Sequence, residues 1–408
     1  MRFHFIHAAD LHLGSPFVGL AMHDEEIAKR FSHASREAFS DLVTRAVDLK
    51  VAFLVIAGDI YDGDWKDTSI GLFFNRELAR LERAGIPVYL AKGNHDAESV
   101  ITKAVSLPPS VQVFPSTKAK TFEIEQIKVA LHGRSFPNRS VTENLSLSYP
   151  PPMPGWFNIG VLHTSCDGRQ NHDNYAPCAV TDLASRNYQY WGLGHIHEYE
   201  EVCRSPWIIF PGNLQGRSIK ECGPKGAVLI DVIDGEVTLV QRLILDKARW
   251  ETASVDITGI ENDRDALRRI EEAARPLVDQ AEGRLLALRI SLHGASSLHC
   301  RLKACMDSFS DEVQATLHRL HEDVWLQRLV LETTEPTRDA DGAVGLLDLT
   351  AMLDGTETDS VLRAAAAEEL SLIKRKLPGG VGDSASNTDE LDSLLAEARA
   401  VVLGRVDS

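Results

Sequence analysis

The sequence predicts an α/β protein, and three observations carry that expectation. Strand-like and helix-like segments alternate through the first 245 residues. Some strands are continuous apolar runs, such as Val51-Ala52-Phe53-Leu54-Val55-Ile56-Ala57, as expected of strands buried on both faces. Short turns bearing Gly, Asp, Asn and His then follow the predicted strands, where open α/β sheets build their sites.

The elements follow in order. Phe3–Ala8 reads as a strand. Residues 25–49 read as an amphipathic helix, with Ile27, Phe31, Phe39, Leu42 and Val43 near 3.6-residue spacing. After the strand 51–57, a helix over 69–84 is stopped by Gly85 and Pro87, and Val88–Ala91 is the next strand. Further strands are expected at 121–131, 158–163, 189–193, 207–210, 226–233 and 236–245. The Pro-rich stretch 148–155 is a loop, since proline cannot donate to a ladder. Near residue 250 the pattern changes: strands at 251–257, 284–292 and 324–332 alternate with helices at 263–281 and 297–321, a small β-α-β-α-β unit. A loop from 333 to 345 precedes helical segments at about 358–376 and 388–403. Three regions result: 1–250, 251–335 and 336–408.

Composition sets bounds. The 408 residues carry a net charge of −16, of which −13 falls in residues 251–408. That argues against a protein coated in positive field, although nucleic-acid binding needs only a local basic patch. The six cysteines show no C-x-x-C spacing, so reduced thiols are expected rather than a zinc ribbon or a disulfide framework. Met1 leads straight into a strand-like run and no apolar stretch approaches 18 residues, so a cytoplasmic chain without a membrane span is expected.

Five segments carry chemistry: Asp10-Leu11-His12, Gly58-Asp59-Ile60-Tyr61-Asp62, Gly93-Asn94-His95-Asp96, His163, and Gly194-His195-Ile196-His197. In extended backbone, residues i and i+2 project to the same side, so Asp10 and His12 can grip one ion, and His195 with His197 is again an i, i+2 pair. Imidazole and carboxylate donors without thiolates suit Mn, Fe or Zn. Each segment alone has an ordinary structural reading. Together, in this order, they resemble the pattern D-x-H, G-D-x-x-D, G-N-H-D, a lone His and G-H-x-H of the calcineurin-like metallophosphoesterases.

Within that superfamily the chain resembles the SbcD-like DNA repair exonucleases, the nuclease subunits of double-strand-break repair complexes. The likeness lies in His7-Ala8-Ala9-Asp10-Leu11-His12-Leu13-Gly14, Ala57–Asp62, Gly93–Asp96, Gly192–His197 and Pro211-Gly212-Asn213-Leu214-Gln215-Gly216-Arg217, and covers residues 1 to about 335. It implies a β-sandwich flanked by helices, a small α+β capping domain that contacts DNA, and C-terminal helices. It implies two divalent ions, with Mn(2+) expected: one held by Asp10, His12, Asp59 and His197, the other by Asp59, Asn94, His163 and His195. A hydroxide between the ions would attack the DNA phosphodiester. His95 would stabilise the transition state or protonate the leaving oxygen, while Asp62 and Asp96 orient ligands; two nearby cations would depress the pKa of its imidazole, whereas Asp96 or a bound phosphate would raise it. It also implies an SMC-like coiled-coil ATPase as partner, docked on the C-terminal segment, and allows a homodimer. There Leu391, Leu394, Leu395, Ala398 and Val402 form one apolar stripe.

Two features bear on rivals. Protein Ser/Thr phosphatases carry an Arg after the second Asp of G-D-x-V-D-R-G, where this chain has Gly63. Residues 251–335 are acidic, however, so DNA contacts are expected from rim cations instead: Arg134, Arg139, Arg169, Arg186, Arg217, Lys220 and Lys225. The alternative function is a phosphatase or phosphodiesterase acting on a small molecule or a protein; a metal-free scaffold fits poorly, since every expected ligand is present.

Overall fold

In the computed structural model the described residues are 1–15, 25–62, 68–97, 106–166, 175–336, 359–374 and five positions between 391 and 398. They form a mixed α/β protein in which helices flank sheets, and the chain divides into two compact units. The first comprises Met1–Glu251 and Arg284–Ala287; the second comprises Thr252–Gly283 and Leu288–Ser408.

The first unit holds two six-stranded sheets. One runs β12-β11-β1-β2-β3-β4, built from β1 (Arg2–Ala8), β2 (Leu54–Ala57), β3 (Val88–Ala91), β4 (Val111–Val113), β11 (Gly226–Ile233) and β12 (Glu236–Ile244). The other runs β5-β6-β7-β8-β10-β9, from β5 (Lys120–Ile124), β6 (Val129–Gly133), β7 (Phe157–His163), β8 (Tyr190–Gly194), β9 (Glu200–Arg204) and β10 (Trp207–Phe210). Alternation along the strands sorts the core into layers. Phe3 and Phe5 of β1 face Phe53, Phe157 and Tyr190, with the Phe5 and Phe53 rings stacked at 4.8 Å and Phe5 meeting Tyr190 edge-on at 5.3 Å. Ile6 and Ala8 point the other way, into a core shared with Phe39, Leu42 and Val43 of α1 (Glu25–Leu49) and Phe74, Leu78 and Leu81 of α2 (Thr68–Arg83). A third cluster, around Trp191, Leu162, Leu193 and Phe210, covers the outer face of the second sheet with Leu183 of α3 (Val180–Ala184). Each fully buried aromatic here contributes on the order of 1.5–3 kcal/mol.

Strands β1, β2 and β3 are mutually parallel, as are β6, β7, β8 and β10. Their carboxyl ends carry the five sequence segments picked out above. Pairing between β1 and β2 continues past the strands: the amides of Asp10, His12 and Leu13 donate to the carbonyls of Gly58, Asp59 and Ile60 at 3.0, 3.0 and 2.8 Å.

The second unit carries α4 (Asp263–Ala281), α5 (His299–Ala304), α6 (Met306–Leu320) and most of a three-stranded sheet ordered β13 (Ala248–Asp256), β14 (Leu285–Ala295) and β15 (Val324–Thr334). Asn262 caps α4 through its side chain, which accepts from the Asp265 amide at 3.0 Å. Helix α7 (Ser360–Lys374) follows.

Several boundaries differ from expectation. The strand expected over 121–131 is a hairpin, because Lys128 takes a left-handed φ of 48° and reverses the chain after a 3₁₀ turn at Glu125–Ile127. The strand at 51–57 begins only at Leu54. The single helix expected at 297–321 is two, broken at Cys305 with φ −123°. Short strands β4 and β9 carry too few residues for periodicity to show. Val402 and most of the segment 388–403 lie outside the described residues.

Candidate metal centre

The site residues stand on backbone that few side chains tolerate. Asp10, His12, Asp59 and His195 have φ of 51°, 42°, 52° and 102°. Non-glycine residues held in this region store strain and gather at functional sites. Glycines supply the remaining room: a Cβ on Gly58, itself at φ +99°, would overlap the His163 ring, and one on Gly93 would overlap the Asp59 carboxylate.

The geometry draws the residues into two groups, Asp10–His12–His197 and Asp59–His163–His195, each with its donor atoms within 4.8 Å of one another. His12 Nε2 lies 3.2 Å from His197 Nε2 and 3.9 Å from Asp59 Oδ2. His163 Nε2 lies 3.4 Å from Asp59 Oδ2 and 3.0 Å from Asn94 Oδ1. Asp59 thus reaches toward both groups. The Asp10 carboxylate accepts from the His195 amide at 3.0 and 3.1 Å. All are buried except His197, which is partly exposed.

Hydrogen bonds decide which ring nitrogens carry protons. His163 Nδ1 is 2.9 Å from the Ala57 carbonyl, so its proton sits there and the Nε2 lone pair faces the oxygens of Asn94 and Asp59. His197 Nδ1 is 2.8 Å from the Glu221 carboxylate, so its Nε2 lone pair faces His12. Acceptor atoms converging on acceptor atoms need a cation between them, and the residues therefore fit bound metal ions. The charges answer the same crowding. Burial pushes Asp10 up to about 6, opposed mainly by His163. Burial likewise pushes Asp59 up, but His163, His12 and His95 outweigh it and hold that carboxyl below its ordinary range. Burial opposes the charge of His163, yet Asp59 and Asp10 raise its pKa to about 9, so that without a cation a proton on Nε2 takes the cation's place against these oxygens.

His95 lies beside the groups. Its amide donates to Asp59 Oδ1 at 3.0 Å, its ring meets His12 edge-on at 5.2 Å, and its Nδ1 sits 3.1 Å from Asp62 Oδ1. Burial opposes protonation of His95, but the bond to Asp62 prevails and raises its pKa. The expected source of that shift, Asp96, is turned elsewhere. Its Oδ1 accepts from the amides of Ile60 and Tyr61 at 2.9 and 3.1 Å, and its Oδ2 from Gly93 at 3.1 Å. Asp96 therefore knits the loops after β2 and β3 together, while Asp62, held by Ser15 and facing Arg217, is the partner of His95.

The expected rim cations are largely engaged inside the protein. Arg134 donates to the Ser116 carbonyl at 3.1 Å and pairs with Glu143 at 3.3 Å. Arg186 donates to the carbonyls of Leu147 and Tyr149 at 2.7 and 3.0 Å. Lys225 is buried against the His197 carbonyl, 2.9 Å away, and cannot reach a ligand on the rim. Arg217 is tied to Glu221. Arg139 and Lys220 are exposed, and Arg169 lies outside the described residues. The sequence reading missed Glu221, Asn213 and Ser15. The signal for Glu221 was a carboxylate just beyond the Pro211–Arg217 turn, which an acidic chain readily disguises.

Comparison with known proteins agrees with this geometry. The calcineurin-like phosphoesterase family matches residues 3–199, and the middle domain of metallophosphoesterase YhaO matches residues 250–334. The chain is 32% identical to the uncharacterized metallophosphoesterase YhaO of Bacillus subtilis, over 91% of this chain and 95% of that one. It is 24% identical to the DNA double-strand break repair protein Mre11 of Sulfurisphaera tokodaii, over 65% of this chain and 68% of that one. A dimetal phosphatase from Danio rerio superposes with a TM-score of 0.36 at 13% identity, over 56% of this chain and 92% of that one. With converging imidazoles and carboxylates at the strand ends and near end-to-end similarity to YhaO, the chain belongs to the calcineurin-like metallophosphoesterases and is a metal-dependent phosphoester hydrolase.

Proposed function

We propose that this phosphoesterase cuts the phosphodiester backbone of DNA, as a repair exonuclease. The observation that carries the reading is the similarity to Mre11 repair proteins, repeated for Methanopyrus kandleri at 21% identity over 65% of this chain. Asp10, His12, Asp59 and His197 would hold one ion and Asp59, Asn94, His163 and His195 the other, with Mn(2+) the expected occupant. Such ions supply Lewis acidity to phosphoryl oxygens and acidify water near the reacting phosphorus. The chain's own contribution is orientation and proton transfer. Asp96 fixes the loops that present Asp59 and Asn94. His95, held by Asp62, donates its proton to the departing oxygen. The second unit would add DNA contacts, and residues 358–403 would dock an SMC-like coiled-coil ATPase; Val361 and Leu362 on α7 are 77% and 46% exposed, as a docking helix requires.

The test compares Mn-dependent release of nucleotides from linear DNA with hydrolysis of a chromogenic phosphomonoester. DNA cleavage abolished by Asp59→Asn supports the nuclease. Monoester turnover without DNA cleavage overturns it. That second outcome has its own support, since Arg134, Arg186, Arg217 and Lys225 are engaged within the protein and the net charge is −16, both of which suit a small substrate.

A further inference from the structure

The turn from Asn213 to Glu221 places a buried carboxylate behind the metal centre. Glu221 is 9% exposed. Its Oε1 lies 2.8 Å from His197 Nδ1 and 2.8 Å from Arg217 Nη2. Its Oε2 accepts from the Arg217 amide at 2.8 Å and from Asn213 Nδ2 at 2.9 Å. Donors from His197, Arg217 and Asn213 thus converge on the two oxygens, and those of Arg217 could not accept a proton from an amide in its place. The same arginine reaches the other side of the site, with Nη1 3.7 Å from Asp62 Oδ2, the carboxylate that holds His95. One chain of charges, His197–Glu221–Arg217–Asp62–His95, thus runs from the first group to His95.

We propose that Glu221 is a positioning residue: it locks His197 in the Nδ1–H tautomer, so that Nε2 is presented to a metal ion, and Arg217 holds the Glu221 carboxylate in place. The inference rests on the reading of His197 as a ligand. A ring free to rotate or to take the other tautomer would present a lone pair to the metal only part of the time. A carboxylate behind a ligating imidazole also raises its basicity, and losing such a partner typically costs about 10–100-fold in metal affinity. Glu221→Gln is a demanding variant, because either orientation of the amide turns an N–H₂ group toward donors.

The experiment titrates Mn(2+) into the full-length chain by calorimetry for the wild type, His197→Ala and Glu221→Gln, and records histidine ¹⁵N spectra of the metal-free wild type at alkaline pH. Two Mn(2+) in the wild type, one weakened or lost in His197→Ala, and one weakened about 10–100-fold in Glu221→Gln is the expected pattern. Undiminished binding of both ions in His197→Ala would overturn the ligand assignment itself. Loss of an ion in His197→Ala with wild-type binding in Glu221→Gln would overturn the role of Glu221 alone. Should the Gln variant not fold, the wild-type spectrum decides: an Nδ1–H signal for His197 supports the proposal, and an Nε2–H signal refutes it.

Discussion

The two units bury different chemistry. The first hides Asp10, His12, Asp59, Asp96, His163, Glu221, Asp246 and Arg249 from water. Among the described residues of the second, the buried polar side chains are Ser296, Thr316 and Thr333, none of them ionisable. Ser296 donates to the Ile260 carbonyl at 2.6 Å, Thr316 to that of Glu312 at 2.8 Å, and Thr333 Oγ1 meets His299 Nδ1 at 2.9 Å. The second unit keeps its charges outside, in exposed pairs such as Arg268–Asp265 and Arg275–Glu271, each of which contributes at most about 1 kcal/mol. Burying an ion costs several kcal/mol unless partners compensate. A fold gathers so many ionisable groups at the ends of its strands only if something other than folding selects them, and the contrast marks the first unit as the seat of chemistry.

The sharpest way to break this contrast is to remove the carboxylate between the two groups. Asp59→Ala should lose bound metal and reduce cleavage to background, because Asp59 lies 3.9 Å from His12 and 3.4 Å from His163. A chelator should lower the melting temperature of the wild type, since a ligand at 100 times its Kd adds about 2.7 kcal/mol to stability. It should leave Asp59→Ala unmoved. Elemental analysis and thermal melts check both, and two ions retained in the variant would break the comparison.

Next in size is His95→Ala. The ring touches neither group as a donor but is held by Asp62 at 3.1 Å. Metal content should stay near wild type while turnover falls about 10²–10⁴-fold. Lost metal would place His95 in the scaffold, and unimpaired turnover would remove it from the reaction.

A core substitution in the second unit should do the reverse. Leu288, Ile270 and Val313 are fully buried there. Leu288→Ala should destabilise that unit by about 2–5 kcal/mol. Metal binding in the first unit should persist, and a titration of the variant below its melting point tests this.

The sequence made the parallel strands and their strand-end motifs legible, because apolar runs such as Leu54–Ala57 and the signatures after them are local. It was less informative where structure depends on distant partners. The reversal at Lys128 is one backbone angle, which no periodicity encodes. The sequence reading made Asp96 the partner of His95, and only the fold turns Asp62 toward His95 and Asp96 toward the amides of Ile60, Tyr61 and Gly93. Arg186 and Lys225 read as rim cations but are internal fasteners, because their partners lie far along the chain, 37 residues apart for Arg186 and Tyr149 and 28 for Lys225 and His197.

A smaller effect concerns pH. His7 is buried against Tyr190, 2.9 Å from its hydroxyl, and burial depresses its pKa to about 3. Because the unfolded chain then binds a proton that the folded chain refuses, this contribution to stability is full above about pH 6.5 and is lost as pH falls toward 3, at about 1.4 kcal/mol per pH unit. Denaturant melts across that range should show the slope, and His7→Gln should flatten it. An unchanged slope would assign the acid sensitivity of the first unit to other groups.

The smallest effect separates two lysines five positions apart. Lys220 is exposed, whereas Lys225 is 3% exposed and gives its ammonium to the His197 carbonyl at 2.9 Å and to Glu198 at 3.2 Å. If DNA runs across this face, an exposed ammonium neutralises one phosphate and releases its counterion. Lys220→Ala should then lower the magnitude of the slope of log affinity against log salt by about 0.7–0.9, the value for a single contact, while leaving stability and metal content unchanged. Lys225→Ala should do the opposite: it leaves the buried His197 carbonyl with the Asn213 amide as a donor at 3.3 Å but without the shorter bond from the ammonium, and costs about 1 kcal/mol of stability, with the salt slope unmoved. Binding isotherms at several salt concentrations, paired with melts of both variants, read the two effects independently. A salt slope that responds to Lys225 and not to Lys220 would place the DNA on a different face.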